Sequence, residues 1–320
     1  MYSEDETLLI HLPRRHVPQS LFDHFSGTSR LIKSLVIVQE NPCSFDPSTY
    51  PSSFVTIPET LANLTDLESI SISAYVRTLP ECLCTLPNLH LLDLNGCYDS
   101  LSISSEVLAM PNLKIKIGDL IVPASEVIVI EVPNSGVSND IFAARSDLNN
   151  GKISHIIIHQ NQGPYGTDAP FTIPDDIYRT EGIRSVWIAG NVTQIPKWIF
   201  KQKHLNCLRL SGRFDNIPEA LGEMQELNYL NLSNCHYLKS LPSSLGKLSK
   251  LTSVNLSGCY NLVSIPESIG NLSQLNSLNL TKCCRLASLP PSVGHLPDLK
   301  VLQFSDCSSL QTVPMGILRS

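Results

Sequence analysis

From residue 251 the chain reads Leu-Thr-Ser-Val-Asn-Leu, with apolar side chains at Leu251, Val254 and Leu256 and polar ones between them. Alternation over the last three of these predicts a short strand, with Leu251 packed below it. Cys259 and Leu262 then turn the chain inward, and Ile265-Pro266 opens a return arm along which Ile269, Leu272 and Leu275 point back to the same core. Proline has no N–H to give a strand ladder, so it suits that arm. An apolar residue followed by proline recurs at Pro58, Pro80, Pro174, Pro196, Pro218, Pro242, Pro266, Pro290 and Pro314. The same pattern predicts strand-bearing units that open at Leu67, Leu89, Leu113, Ile153, Ile183, Leu205, Leu227, Leu251, Leu275 and Leu299.

The last full copies read IPEALGEMQELNYLNLSNCHYLKS, LPSSLGKLSKLTSVNLSGCYNLVS, IPESIGNLSQLNSLNLTKCCRLAS and LPPSVGHLPDLKVLQFSDCSSLQT, and bring Cys235, Cys259, Cys283 and Cys307 round every 24 residues. This is the L-x-x-L-x-L-x-x-N/C-x-L signature of a leucine-rich repeat. One such unit cannot bury its apolar face alone, so stability accrues from stacking on neighbours. The expected architecture is an α/β repeat solenoid, a leucine-rich-repeat horseshoe with a parallel concave β-sheet and short helical or irregular convex arms.

The pattern divides the chain into a degenerate N-terminal repeat and loop (1–50), a first repeat block (51–118), an irregular middle with an insertion (119–172) and a regular second block (173–320). The proline register lapses in the middle, and QNQGPYGTDAPFT at 160–172 reads as a Gly/Pro-rich insertion. Around 17–21 and 31–38 a first repeat is faintly legible, followed by a Pro/Ser-rich loop at 41–53. At the far end 314–318 starts another return arm without a polar capping repeat, and a partial or truncated product is the expectation.

Composition narrows the function classes. The chain is 42% hydrophobic and 16% charged with a formal charge of −6, which fits a folded core and lacks the electropositive footprint of general nucleic-acid binding. No stretch reaches the ~18 apolar residues of a spanning helix, and the acidic opening is unlike a secretory signal. A cytoplasmic location is the expectation, which leaves little weight to the Asn-x-Ser/Thr sequons at Asn63, Asn191, Asn231, Asn255, Asn271 and Asn279. Ten cysteines without a Cys-x-x-Cys pair fit neither a disulfide framework nor a zinc site. Those of the 24-residue series suit buried turns instead.

Catalytic readings fail in turn. His155 and His159 stand ~13 Å apart if both lie on one strand, too far for a single ion. Cys82 and Cys84 on a return arm have no second ligand pair and read as structural thiols. No G-x-S-x-G elbow, H-E-x-x-H or paired-carboxylate constellation is present, so neither enzyme activity nor a cofactor is expected.

Binding is the remaining chemistry. Variable positions of the strand project from the concave face, and strands ~4.8 Å apart make equivalent positions lateral neighbours. The middle of that face gathers His155, Ile157, His159, Trp187, Arg209, Tyr229 and Asn231. Trp, Tyr and Arg are the types enriched at binding hot spots, so this patch is the candidate protein-binding site. The bland alternative is a Trp187–Arg209 cation–π contact on an idle surface. Asn231, Asn255 and Asn279 read as a structural amide series along the sheet.

The phrases LSGCYNLVSIPESIGNLSQLNSLNL and LPECLCTLPNLHLLDLNGC resemble the leucine-rich-repeat region of plant intracellular nucleotide-binding disease-resistance proteins. The resemblance spans roughly 51–314 by pattern and is strongest from Ile195 onward; LLIHLPRRHVPQSLFDHFSGTSRLIKSLVIV is similar to the segment that opens such repeat regions. Plant extracellular receptors usually carry Gly before Ile-Pro, where this chain has Val263-Ser264 or Ala287-Ser288. The nucleotide-binding G-x-x-x-x-G-K-[ST] is absent, so the resemblance implies only the sensing and autoinhibiting half. Its implied partners are proteins: a pathogen effector, a host guardee, or a nucleotide-binding domain in cis or in trans. A stand-alone intracellular repeat scaffold, similar to plant relatives of Ras-binding repeat proteins, is the main alternative. A bacterial repeat effector with ligase chemistry would need a catalytic domain that does not accompany these repeats.

Overall fold

In a computed structural model, the described residues are 6–12, 32–39, 55–74, 76, 78–95, 97, 103–117, 120–133, 153–160, 169–175 and 182–314. The expectations for 17–21, 41–53, 161–168 and 315–318 lie outside them. The chain folds as two compact units, Met1–Ser135 with His159–Asp168, and Gly136–Ile158 with Ala169–Ser320.

In the first unit β1 (Thr7–Leu12), β2 (Ser34–Gln39), β3 (Ser69–Ser73), β4 (Leu91–Asp93) and β5 (Lys114–Ile117) pair in sequence order, all parallel. Then β6 (Leu120–Pro123) turns back antiparallel on β5, and β7 (Val127–Val132) follows. The expectations from Leu67, Leu89 and Leu113 are met by β3, β4 and β5. A single turn, α1 (Ser105–Leu108), is capped by the Ser104 hydroxyl, which accepts from the Val107 N–H.

In the second unit the sheet order is β14-β13-β12-β11-β10-β9-β8, strictly sequential. These are β8 (His155–Gln160, its last two residues counted with the first unit), β9 (Ser185–Ala189), β10 (Cys207–Ser211), β11 (Tyr229–Asn231), β12 (Ser253–Asn255), β13 (Ser277–Asn279) and β14 (Val301–Gln303). From β9 to β14 every pair is parallel, and Val254 stands level with Leu230 and Leu278. The repeat's apolar positions form one column per layer: Leu251, Val254, Leu256, Cys259, Leu262, Ile269 and Leu272 are all fully buried.

The arms are single 3-10 turns, each started by its proline. Pro196, Pro218, Pro242, Pro266 and Pro290 accept from the N–H three residues on, at 3.0–3.3 Å. An acid after proline braces the next arm: Glu219 takes the Ser243 and Ser244 N–H groups at 3.1 and 2.9 Å, Glu59 takes those of Glu81 and Cys82, and Asp175 takes that of Lys197. Donation from the Ser244 backbone, the leading cause, holds the Glu219 carboxyl below the usual range.

Turn chemistry also repeats. The Oδ1 atoms of Asn231, Asn255 and Asn279 accept from the N–H two residues on, each at 2.9 Å, so these amides bend the chain out of its strand. Next comes a residue in the left-handed region, Asn234, Gly258, Lys282 or Asp306 in successive layers. Each following thiol donates to the carbonyl of the preceding layer: Cys235 to Leu210, Cys259 to Leu232, Cys283 to Leu256 and Cys307 to Leu280. These cysteines are therefore turn residues, buried at Cys235, Cys259 and Cys283 and half-buried at Cys307, whose weak donor closes the seam between layers.

Candidate functional site

The candidate residues of the second unit lie on β8 to β11, where register brings them together. Arg209 is paired laterally with Trp187 on one side and Asn231 on the other, and Cys207 stands between Ser185 and Tyr229. The Arg209 guanidinium carbon lies 4.1 Å from the Trp187 ring centroid, a close cation–π geometry. His155 Nδ1 and the Ser185 hydroxyl are 2.7 Å apart, and Asn231 Nδ2 donates to the Tyr229 hydroxyl at 3.3 Å.

Sequence reasoning expected these side chains to project for recognition, and the structure closes most of them off. His155, Ile157, Trp187, Arg209 and Asn231 are buried, Trp187 and Arg209 at 2% and 6% exposure, and Tyr229 is half-buried. Where the guanidinium lies over the indole, each covers part of the other. Trp187 Nε1 is buried with no hydrogen-bond partner among the described residues. The accessible part of the face starts at Tyr229 and runs through Ser253, Asn255, Ser277 and Asn279 to Val301 and Gln303.

His159 belongs to the first unit. Its Nε2 lies 3.8 Å from Glu131 Oε1 on β7, and burial pushes its pKa down to about 4 against the opposing pull of that carboxylate. Among the described residues no cluster of His, Cys, Asp or Glu could hold a metal ion. Burial, with Glu59 adding, pushes the Cys82 thiol up to about 12, and burial raises Cys259 well above its ordinary value. Thiols in that state are protonated at neutral pH and poor nucleophiles. No helix of the described residues is long and apolar enough to cross a membrane.

Sequence reasoning passed over the loops that leave β10, β11 and β12. There Arg213 lies over the Tyr237 ring at 5.6 Å, and His236 stacks on Tyr260 at 4.9 Å with Nδ1 2.9 Å from the Gly258 carbonyl. Tyr237 is 45% exposed, so this loop flank is accessible where the Trp187–Arg209 pair is not. The signal that pointed to it was the aromatic residue after the turn cysteine, as in Cys259-Tyr260.

The family described as "Leucine-rich repeat region" matches residues 189–303, which spans β10 to β14. Those residues form a leucine-rich repeat region, and such solenoids serve protein–protein interaction through extended variable surfaces. Among solved structures the chain is similar to the leucine-rich repeat domain of the type III effector XCV3220 (XopL), at 16% identity, covering 94% of this chain and 77% of that one with a TM-score of 0.34. An internalin from Listeria monocytogenes is similar at 16% identity over 96% of this chain and 85% of the other, TM-score 0.37. The ectodomain of the Arabidopsis thaliana receptor kinase GASSHO1/SCHENGEN3 is similar at 18% identity over 93% and 41%, TM-score 0.30. A comparison with curated proteins found no match.

Proposed function

We propose that this chain recognises proteins through the variable face of its repeat sheet, as the sensing and autoinhibiting portion of a cytoplasmic plant-type immune receptor. Its partners are then a pathogen effector, a host guardee or a nucleotide-binding domain. The observation that supports the reading is the contrast between frame and face. Core, arm and turn positions hardly change from layer to layer, while the face changes from Trp187, Arg209 and Tyr229 to serine and asparagine. The motifs shared with disease-resistance repeat regions point to immunity rather than to another signalling role.

Mapping the 5′ end of the encoding transcript tests the receptor reading. An upstream in-frame P-loop supports it, whereas a start at Met1 leaves a stand-alone repeat scaffold. Once a partner is in hand, Trp187→Ala and Arg209→Ala should each weaken binding by more than ~1 kcal/mol, with Asn279→Ala changing little. Circular dichroism must show the variants folded, since all three residues have structural neighbours. Equal losses from all three would move the contact away from this patch.

A further inference from the structure

The loops that leave β10 to β13 carry a strip of exposed side chains beside the sheet. The residues two after the turn cysteine are Tyr237, Asn261 and Arg285 in successive layers, and Arg213 of the β10 loop lies over the Tyr237 ring at 5.6 Å. Arg213, Tyr237 and Arg285 are exposed, and so is Val263, two residues beyond Asn261. Tyr237 and Val263 are the exposed large hydrophobic side chains among the described residues from β9 to β13, and they belong to the two layers between those of the arginines. Among the described residues neither arginine has a carboxylate within ion-pair distance, whereas Lys239 on the same flank is matched by Asp215 at 3.2 Å. Beneath the strip the β11 and β12 loops are tied together: His236 stacks on Tyr260 at 4.9 Å, and Asn261 Nδ2 donates to the His236 carbonyl at 2.7 Å.

We propose that this loop flank docks an extended acidic segment of a partner protein, with one carboxylate on Arg213, a second on Arg285 and an apolar side chain between them against Tyr237 and Val263. Exposed apolar side chains taken singly are ordinary. Here they are bracketed by two exposed cations, and tyrosine and arginine are the types that carry binding energy at interfaces. A guanidinium laid on a ring keeps its in-plane N–H groups turned outward, where a carboxylate takes them in pairs. The ring also narrows the positions open to the Arg213 side chain, which lowers the ordering cost of binding. The spacing selects the ligand: from the β10 layer to the β13 layer is three strand separations, ~14 Å, and an extended peptide covers ~13 Å in four residues. Residues i, i+2 and i+4 of such a peptide share one face, so acid, apolar residue and acid all meet the strip together. A nucleic-acid strand fits less well, because its affinity grows with the number of phosphates neutralised, and this strip offers two unmatched cations on a chain of charge −6.

Fluorescence polarisation with the full chain tests it, using a labelled, end-blocked peptide Glu-Ser-Leu-Ser-Glu as the probe. Saturable binding is expected, about tenfold weaker or worse for Gln-Ser-Leu-Ser-Gln, and weakened as well for Glu-Glu-Ser-Leu-Ser, which keeps the composition and loses the spacing. Arg213→Ala, Arg285→Ala and Tyr237→Ala should each weaken binding about fivefold or more. Tyr237→Phe, which keeps the ring, should bind nearly as the wild type, and so should Lys203→Ala, which removes an exposed cation from an arm. Circular dichroism checks that each variant folds; should Arg213→Ala fail, Arg213→Gln and Arg285→Ala decide by the same criterion. No saturable binding, equal affinity for the glutamine peptide, or a loss from Lys203→Ala as large as that from Arg213→Ala overturns the site. Tighter binding of a ten-nucleotide oligouridylate than of the peptide overturns it in favour of nucleic acid. The flank is separate from the sheet face, so failure here leaves recognition by that face standing, and failure of that face leaves this site standing.

Discussion

An imidazole sealed inside a protein stays neutral until protonation becomes worth its desolvation, and His159 is in that position, with a pKa of about 4 set by burial. The unfolded chain takes the proton nearer the ordinary value of ~6.5. Between these two values the unfolded state binds more protons, so stability is whole above the upper one and is lost as pH falls toward the lower. Each pH unit across that window is worth ~1.4 kcal/mol, so the wild type should lose up to ~3 kcal/mol between its two ends. His159→Gln should flatten the slope of denaturant midpoint against pH; an unchanged slope would assign the acid sensitivity elsewhere. Thiols allow a second residue-level check, because thiolate character and exposure together control alkylation. Brief maleimide treatment of the native protein, read by peptide mass, should label the exposed Cys84 well before the buried Cys235, Cys259 and Cys283, which should react only after denaturation.

Neighbouring arms approach each other through glycine. A Cβ placed on Gly246 would stand 2.7 Å from the Ser268 Cβ and press on the Ser268 carbonyl, a backbone atom that cannot swing aside, and Gly222 and Gly270 meet Ser244 and Ser292 in the same way. Gly246→Ala should therefore destabilise by roughly 1–3 kcal/mol, as overpacking does, visible as a lower denaturant midpoint. An unaffected midpoint would show that the arms can part at no cost. The recurrent spacing made the ten strands and the proline-started arms legible in the sequence, because each layer repeats one pattern against identical neighbours. It did not reveal β1, β6 and β7, which carry no proline marker: Val127–Val132 is an apolar run broken at Glu131, and β6 pairs antiparallel, outside the repeat's logic. Nor did it reveal the glycine seats or the bracing acids, which act between layers 22 to 25 residues apart. For the candidate site, register alone identified which side chains are neighbours, and Arg209 does lie over Trp187. Their burial was not legible, because it depends on how long side chains fold across adjacent strands, which strand periodicity does not encode.

Within the second unit each layer leans on the one before and the one after, so stability should behave as a chain of nearest-neighbour terms. The last described layer, around β14, has one such support among the described residues. Leu302, Cys307 and Leu310 are half-buried and Phe304 is 39% exposed, whereas their counterparts Leu278, Cys283, Leu286 and Leu280 are fully buried. Leu256→Asp places an unpaired charge in the middle of this stack, and the core must either bury it at a cost of several kcal/mol or open around it. Opening is cheapest toward the side with less support. Hydrogen exchange should then show lost protection at β12, β13 and β14, a smaller loss at β11, and near-native protection at β9 and β10, where Trp187 and Arg209 pack. Uniform loss across β9 to β14 would mean that the unit unfolds in one cooperative step, and full retention would contradict the inward placement of Leu256. The graded outcome would also show that Trp187 and Arg209 sit on the most firmly held layers of the stack.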